Sequence, residues 1–456
     1  MSAPPTNPMI HSERASLYLH EISHTEDTPR LHWWGESFWC WEGSGPWKPL
    51  SEKDMERRAL RWLIRGGKSS TPDAARAMTL ALAALTTMEM PTDRHPPFWW
   101  PHSLRETDRI LTENYLVDPM GATGPTEDDE SPAGCEAITS AWFTQNKVPI
   151  VYDPRATCPQ WEAFLQGSLG EEDKISALQE YMGVLWTPDT RFEMALFLVG
   201  PAASGKSTIG KVIERLHGEA NVGSLPLEEF GDPFAIGELR GKLVNICDET
   251  SRNITPRLES KLKWWTGGGK VDANRKHKSY VKMPPTARLV VPTNHFPNFT
   301  DSSEGTWRRI LPLRMHNVVP REQRDRLLVD KLAGEASGIF NWTLEGLRRL
   351  RRRGHFVVPK SGEVELASRK TDKQGPTLFV AEEVEGDSDG FVANDVLLKE
   401  YKRWAKRSCL PVGDDDTTLR ELILQSHGGA TYGRKRCDGE RPHGIKGVRL
   451  RASKGD

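Results

Sequence analysis

Short apolar runs of strand length and longer apolar stripes of helical spacing divide the chain into recognisable stretches. Met194–Val199, Leu243–Cys247 and Ala287–Thr293 are near-continuous apolar runs that predict strands, and Ile209, Val212, Ile213 and Leu216 repeat at helical spacing behind the first of them. Upstream, Trp161, Phe164 and Leu165, then Ile175, Leu178, Tyr181 and Met182, predict a small helical collar. Nearer the start, Ser51 with Asp54 has the form of a capping box for a helix carrying Met55, Leu60, Leu63 and Ile64. Thr71-Pro72 opens a further helix rich in Ala and Leu. Before these helices, Trp33, Trp34, Trp39, Trp41 and Trp47 sit among Gly and Ser, a pattern of short strands and turns that serves either a core or stacking on bases. At the far end, Val396–Arg407 and Thr418–Gln425 read as helices ahead of a basic hairpin, Tyr432–Arg451, which together suggest a winged-helix module.

Breaks in this pattern divide the chain. Val117–Gly134 is rich in Gly, Pro and acids and reads as a loop or linker. The expected organisation is an N-terminal accessory domain (1–135), the collar (136–190), a central core (191–350), a linker (351–385) and a winged-helix-like DNA-binding domain (386–456). A length of 456 residues requires several domains, because a single core stops growing at roughly 250–300 residues.

Composition narrows the function classes. Apolar residues at 37% and charged residues at 27% place the chain among globular proteins, and a formal net charge of −1 excludes a wholly basic coat. Any nucleic-acid contact must therefore be local. The six cysteines are scattered without a CxxC pair, which points to free thiols in a reducing compartment rather than to a zinc site. Met1–Pro8 lacks an apolar signal region and no apolar run approaches the ~20 residues of a membrane span, so a cytoplasmic protein without a membrane partner is expected.

The strongest chemical signal is Gly200-Pro201-Ala202-Ala203-Ser204-Gly205-Lys206-Ser207, followed by Thr208, a complete GxxxxGK[ST] match between strand and helix. Backbone N–H groups of such a loop wrap phosphate oxygens at the positive end of the following helix. Lys206 would reach the β- and γ-phosphates of ATP, and Ser207 would ligate Mg²⁺. The strand Leu243–Cys247 ends in Asp248-Glu249, where Asp248 suits the metal and Glu249 suits activation of water. Asn294 follows the strand Ala287–Thr293, where its amide can bond the attacking water and sense the γ-phosphate. Trp307-Arg308-Arg309 follows a polar loop and offers an arginine finger to a neighbour's nucleotide. Gly267-Gly268-Gly269-Lys270 leads into a hairpin with Asn274, Arg275, Lys276, His277 and Lys278 at its turn, a basic tip suited to DNA phosphates. The helix Leu344–Arg353 carries five arginines that suit either nucleic acid or the dipole of a solvated helix end.

In this order the motifs resemble superfamily 3 helicases of phage and plasmid replication, relatives of the poxvirus primase-helicase. The run Arg275–Lys278 is similar to the DNA-tracking hairpin of the papillomavirus replicative helicase. The likeness covers residues 140–350, from Tyr152-Asp153-Pro154 and Cys158-Pro159-Gln160-Trp161 to Ser337-Gly338-Ile339-Phe340-Asn341-Trp342. It implies an α/β fold, an AAA+-like P-loop ATPase with a parallel central sheet, assembled as a homo-hexameric ring with ATP sites between subunits. It also implies translocation on single-stranded or forked DNA, with a separate primase or polymerase as a further partner. Residues 1–140 show no acidic metal-binding triad and no zinc-ribbon cysteines, so primer synthesis is not expected in this polypeptide. The leading expectation is an ATP-dependent replicative DNA helicase. An origin-binding initiator, whose ATPase controls assembly on DNA, is the alternative. A small-molecule kinase has no use for the acid pair, Asn294, the arginine and the hairpin together.

Overall fold

The computed structural model describes residues 8–22, 30–67, 71–88, 96–100, 108–121, 131–248, 254–269, 271–275, 278–283, 285–299, 304–408, 416–435 and 441–451. The chain forms two compact units. One comprises Met1–Arg252, Ser260–Phe296 and Leu311–Val357, and the other Asn253–Glu259, Pro297–Ile310 and Val358–Asp456.

The first unit is organised on a five-stranded sheet: β1 (Ala195–Val199), β2 (Val222–Gly223), β3 (Val244–Ile246), β4 (Arg288–Thr293) and β5 (Ile310–Arg314). Its order is β2-β3-β4-β1-β5, with β2 to β1 pairing in parallel. All five residues of β1 and all six of β4 are buried, as expected of central parallel strands covered on both faces. Pro292 is tolerated inside β4 because β3 ends at Ile246, opposite Val290, so the missing N–H has no ladder partner to lose. The α/β class and the parallel pairing agree with the expectation from the motifs.

The collar helices are Pro159–Ser168 and Glu172–Val184. Glu172–Val184 packs on Ala336–Arg353 through glycines. A Cβ on Gly183 would run into the Thr343 carbonyl, and one on Gly346 would meet the Gln179 backbone at 2.5 Å. This close crossing lets Arg349 and Arg353 reach the buried Glu180 carboxylate. Arg348 donates to the Pro119 carbonyl and Arg351 to Asp108. Four of the five arginines expected to meet either DNA or solvent therefore hold this unit together. A buried carboxylate needs such partners, since a lone buried charge is costly.

The N-terminal part adds helices Pro8–Ile22, Glu52–Arg65 and Pro72–Thr86 and a three-stranded antiparallel sheet, Leu31–Trp34, Ser37–Cys40 and Lys48–Leu50. The two expected caps form: Ser51 Oγ accepts from the Asp54 N–H and Thr71 Oγ1 from the Ala74 N–H. The tryptophan cluster is core. Trp39, Trp41 and Trp47 are buried with Phe98 and Phe143, and Trp47 Nε1 donates to the Ser140 carbonyl. Phe98 and Trp99 pair with Phe143 and Trp142, and Val117 with Cys135, so strands join across the boundary expected near residue 135.

In the second unit, the stretch expected to be a linker is helical from Lys360 to Glu383, and Phe379 and Val380 on it enter that unit's core. A strand follows, Val384–Ala393, then helices Asn394–Arg407 and Asp416–Ser426 and strands Thr431–Arg434 and His443–Leu450. The sheet order is Val384–Ala393, His443–Leu450, Thr431–Arg434, all antiparallel. Helix Glu304–Trp307 belongs here as well, with Trp307 edge-on to Phe299 and Arg369 donating to Asn298. Among the described residues no helix is long and apolar enough to cross a membrane.

Candidate functional site

The loop between β1 and helix Lys206–His217 carries the backbone strain expected of an anion cradle. Ala203 holds φ at 63° and Gly205 at 99°, and the alanine is the costlier of the two because its Cβ crowds the left-handed region. Gly205 is needed twice over: a Cβ there would sit 3.0 Å from Ser168 Oγ and 3.2 Å from Phe164, on the collar helix. Gly200 serves packing rather than ligand approach, since a Cβ would collide with the Met315 carbonyl just past β5. The loop is also tied from outside by the Val319 N–H, which donates to the Ala203 carbonyl at 3.1 Å.

Lys206 is buried and its Nζ donates to the carbonyl oxygens of Gly200 and Pro201, both at 2.6 Å. Burial lowers its pKa from the ordinary lysine value. Its cation thus points into the loop, while the first N–H groups of the helix, from Lys206 onward, lack intrahelical partners by construction. The combination can hold a polyphosphate.

A cleft of about 790 Å³ opens beside this loop. Ser207, Thr208, Asp248 and Asn294 line it together with Lys206. The strand order explains the meeting: β4 lies between β1 and β3, so the tips of three neighbouring strands deliver the loop, Asn294 and Asp248 to one end of the sheet. Asp248 and Asn294 are exposed at those tips. His295 also lines the cleft, and its carbonyl accepts from Thr293 Oγ1; sequence reasoning passed it over because a histidine after a strand has no motif of its own. Hydroxyl and carboxylate oxygens, from Ser207 and Asp248, are the hard donors that suit Mg²⁺. The neighbouring Cys247 offers none, since burial pushes its thiol far up and keeps it protonated. Glu249 lies outside the described residues.

Two further elements carry expected site residues. Strands Val271–Arg275 and Lys278–Met283 pair antiparallel, with Arg275 opposite Lys278, and Lys276 and His277 lie outside the described residues. The short helix Pro233–Gly237 packs against Val271–Arg275 and exposes Phe234 to 53%. Asp232 caps that helix by accepting from the Phe234 N–H, and Phe230 anchors it on buried Trp265. An exposed phenylalanine beside a basic hairpin went unnoticed in the sequence, where only its solvent exposure would have marked it. In the second unit Arg308 is exposed, whereas Arg309 is half-buried and donates from Nη1 to the Gly305 carbonyl at 2.6 Å.

A model of a family of unknown function (DUF5906) matches residues 198–309, from the end of β1 to Arg309. Among solved structures, the A-form apo structure of the NrS-1 C-terminal region is similar to the chain at 12% identity and a TM-score of 0.50, covering 94% of this chain and 98% of that one. An apo structure of the same region, residues 305–718, is similar at 11% identity with the same TM-score and coverage. A structure of JCV helicase covers 47% of this chain and 66% of its own at 16% identity, with a TM-score of 0.29. The chain shares its fold with the NrS-1 C-terminal region over nearly its whole length.

Proposed function

We propose that the chain is an ATP-dependent DNA helicase that works as a ring of identical copies on single-stranded or forked DNA. The observation that carries this reading is the single cleft that gathers Lys206, Ser207, Asp248 and Asn294 at the tips of β1, β3 and β4. In this reading Lys206 and the loop amides hold the β- and γ-phosphates, and Ser207 and Asp248 hold Mg²⁺. The metal supplies charge neutralisation between those phosphates. Asn294 orients the attacking water and Glu249 takes its proton. Arg308, exposed ahead of β5, reaches the site of a neighbouring copy.

Chain continuity supports a DNA path along the hairpin. Met283 ends the hairpin five residues before Arg288 opens β4, so a shift of β4 on nucleotide turnover is passed to the hairpin. Phe234, exposed on the helix that packs against the hairpin's first strand, offers a ring face to an unpaired base, while the hairpin cations meet phosphates. A separate primase or polymerase would act on the strands so released.

ATP turnover measured with and without single-stranded DNA tests the proposal, and an absence of stimulation would reduce the chain to a DNA-independent ATPase or kinase. Replacing Lys276 and His277 together by Ala should leave basal turnover intact and remove both its stimulation and fork unwinding. Lys276→Ala alone should lower the log–log salt slope of single-strand binding by roughly 0.7 per phosphate contact. Phe234→Ala should behave differently. It should weaken single-strand binding about 5- to 150-fold at unchanged salt slope, since stacking is worth roughly 1–3 kcal/mol per base and releases no counterions. Phe234→Trp should retain binding. Equal affinities for Phe234→Ala and the parent protein would take the strand away from this helix.

A further inference from the structure

The turn at the tip of β4 gives the cleft a second side chain besides Asn294. Thr293 and Phe296 are both buried, and the Phe296 ring lies 6.2 Å from that of Phe197 on β1. The chain therefore leaves the core at Asn294 and re-enters it at Phe296. Between these anchors only Asn294 and His295 are exposed, and both line the cleft. Thr293 Oγ1 donates to the His295 carbonyl at 2.8 Å and closes the turn. The backbone of His295 is thus held while its imidazole is left over: among the described residues no hydrogen bond, ion pair or ring contact engages the ring.

This turn sits against the phosphate loop. The Gly200 N–H donates to the Thr293 carbonyl at 3.2 Å, and Lys206 Nζ donates to the carbonyl of the same glycine. His295 follows Thr293 by two residues, so its Cα stays within about 7 Å of that junction's strand end. The other charged side chains on the cleft wall are committed elsewhere or stand farther off. Lys206 belongs to the loop and Asp248 suits the metal, while Lys211 and Glu214 lie along helix Lys206–His217, roughly 6 and 10 Å beyond Ser207 at 1.5 Å per residue. A γ-phosphate has three terminal oxygens. With Lys206 and the metal on two of them and Asn294 turned to the water, one oxygen is left without a donor. An imidazole carries an N–H in either protonation state, and a hydrogen bond to an anionic oxygen is among the stronger ones.

We propose that His295 is a further catalytic residue, donating from the tip of β4 to the γ-phosphate of bound ATP. The proposal rests on the reading of the cleft as an ATP site and adds a contact that ADP cannot make. The test measures, on the full chain with Mg²⁺, the affinities for ADP and for a non-hydrolysable ATP analogue by competition with a fluorescent nucleotide. His295→Ala should weaken the analogue about 10- to 150-fold, the usual worth of a hydrogen bond to a charged group, and leave the affinity for ADP parental. His295→Phe fills the space of the ring without a donor and should fall with the alanine variant. His295→Gln keeps an N–H donor and should recover part of the loss, and ATP turnover should follow the same order across the three variants. Equal weakening of both nucleotides would make His295 a support for the loop, and a parental affinity of His295→Ala for the analogue would take the imidazole away from the γ-phosphate; either result overturns the proposal. An unaltered chain that binds neither nucleotide overturns the ATP reading and this contact with it, whereas nucleotide binding that ignores His295 overturns the contact alone.

Discussion

Lys206→Ala should lose ATP turnover by at least about 10²–10³-fold, the usual loss when one group that stabilises transition-state charge is removed from a closed site. The ammonium is buried and already turned onto the carbonyls of Gly200 and Pro201, within the loop that a triphosphate would enter. No other cation shares that position in the loop, so the shortened side chain leaves the transferred phosphoryl charge without its nearest partner. Nucleotide binding should weaken as well, because the lysine also meets phosphate in the ground state. Glu249→Gln separates the two effects. It should bind a fluorescent ATP analogue at near-parental affinity and release phosphate very slowly, since the carboxylate acts on the water and not on the bound nucleotide. The loop should fold normally in both variants, and the melting temperature of each checks this. Parental phosphate release from Lys206→Ala would place catalysis outside this cleft, and parental release from Glu249→Gln would hand water activation to another residue, with Asn294 and His295 also lining the cleft.

What the sequence made legible here is local. Glycines at fixed offsets between an apolar run and a helical stripe mark the phosphate loop, and Ser51 and Thr71 mark helix starts, because in each case the cause lies within a few residues of the effect. The nonlocal causes stayed hidden. Asn294 joins Lys206 only because β4 is inserted between β1 and β3, and no spacing along the chain encodes that order. The arginines of Ala336–Arg353 looked like a surface cluster because Glu180 and Asp108, which they serve, lie more than 150 residues away. Helix Lys360–Glu383 was obscured by Gly362, Gly375 and Pro376, which argue against a helix locally and are outweighed by the burial of Phe379 and Val380. Strand Val384–Ala393 is likewise held by residues distant in the chain. Its Gly390 is required, since a Cβ would strike the Val448 carbonyl, and its acids are tolerable only because Arg449 and Arg451 lie across the sheet.

Arg308→Ala should cost more than any other single change, about 10³–10⁵-fold in turnover, the range for an arginine that meets transition-state charge from outside the pocket. The choice between the two arginines follows from their surroundings. Arg309 is half-buried and its Nη1 is committed to the Gly305 carbonyl, so Arg309→Ala should loosen the turn ahead of β5 and lower the melting temperature more than the intrinsic rate. Arg308 is exposed, so a neighbouring copy can meet it. The Arg308→Ala protein should then bind ATP with parental affinity, because its own loop, Lys206 and Asp248 are untouched. Mixing it with Lys206→Ala protein discriminates an arginine acting across an interface from one acting within a chain. At a mixed interface the Lys206→Ala copy lends an intact Arg308 to a pocket with an intact Lys206, and phosphate release should rise above that of either variant alone. The rise should grow with time as copies exchange and vanish when the two are kept apart by crosslinking beforehand. Exchange without any rise, shown by fluorescent labels on the two proteins, would place Arg308 in its own subunit's chemistry, and parental turnover by Arg308→Ala alone would remove it from catalysis.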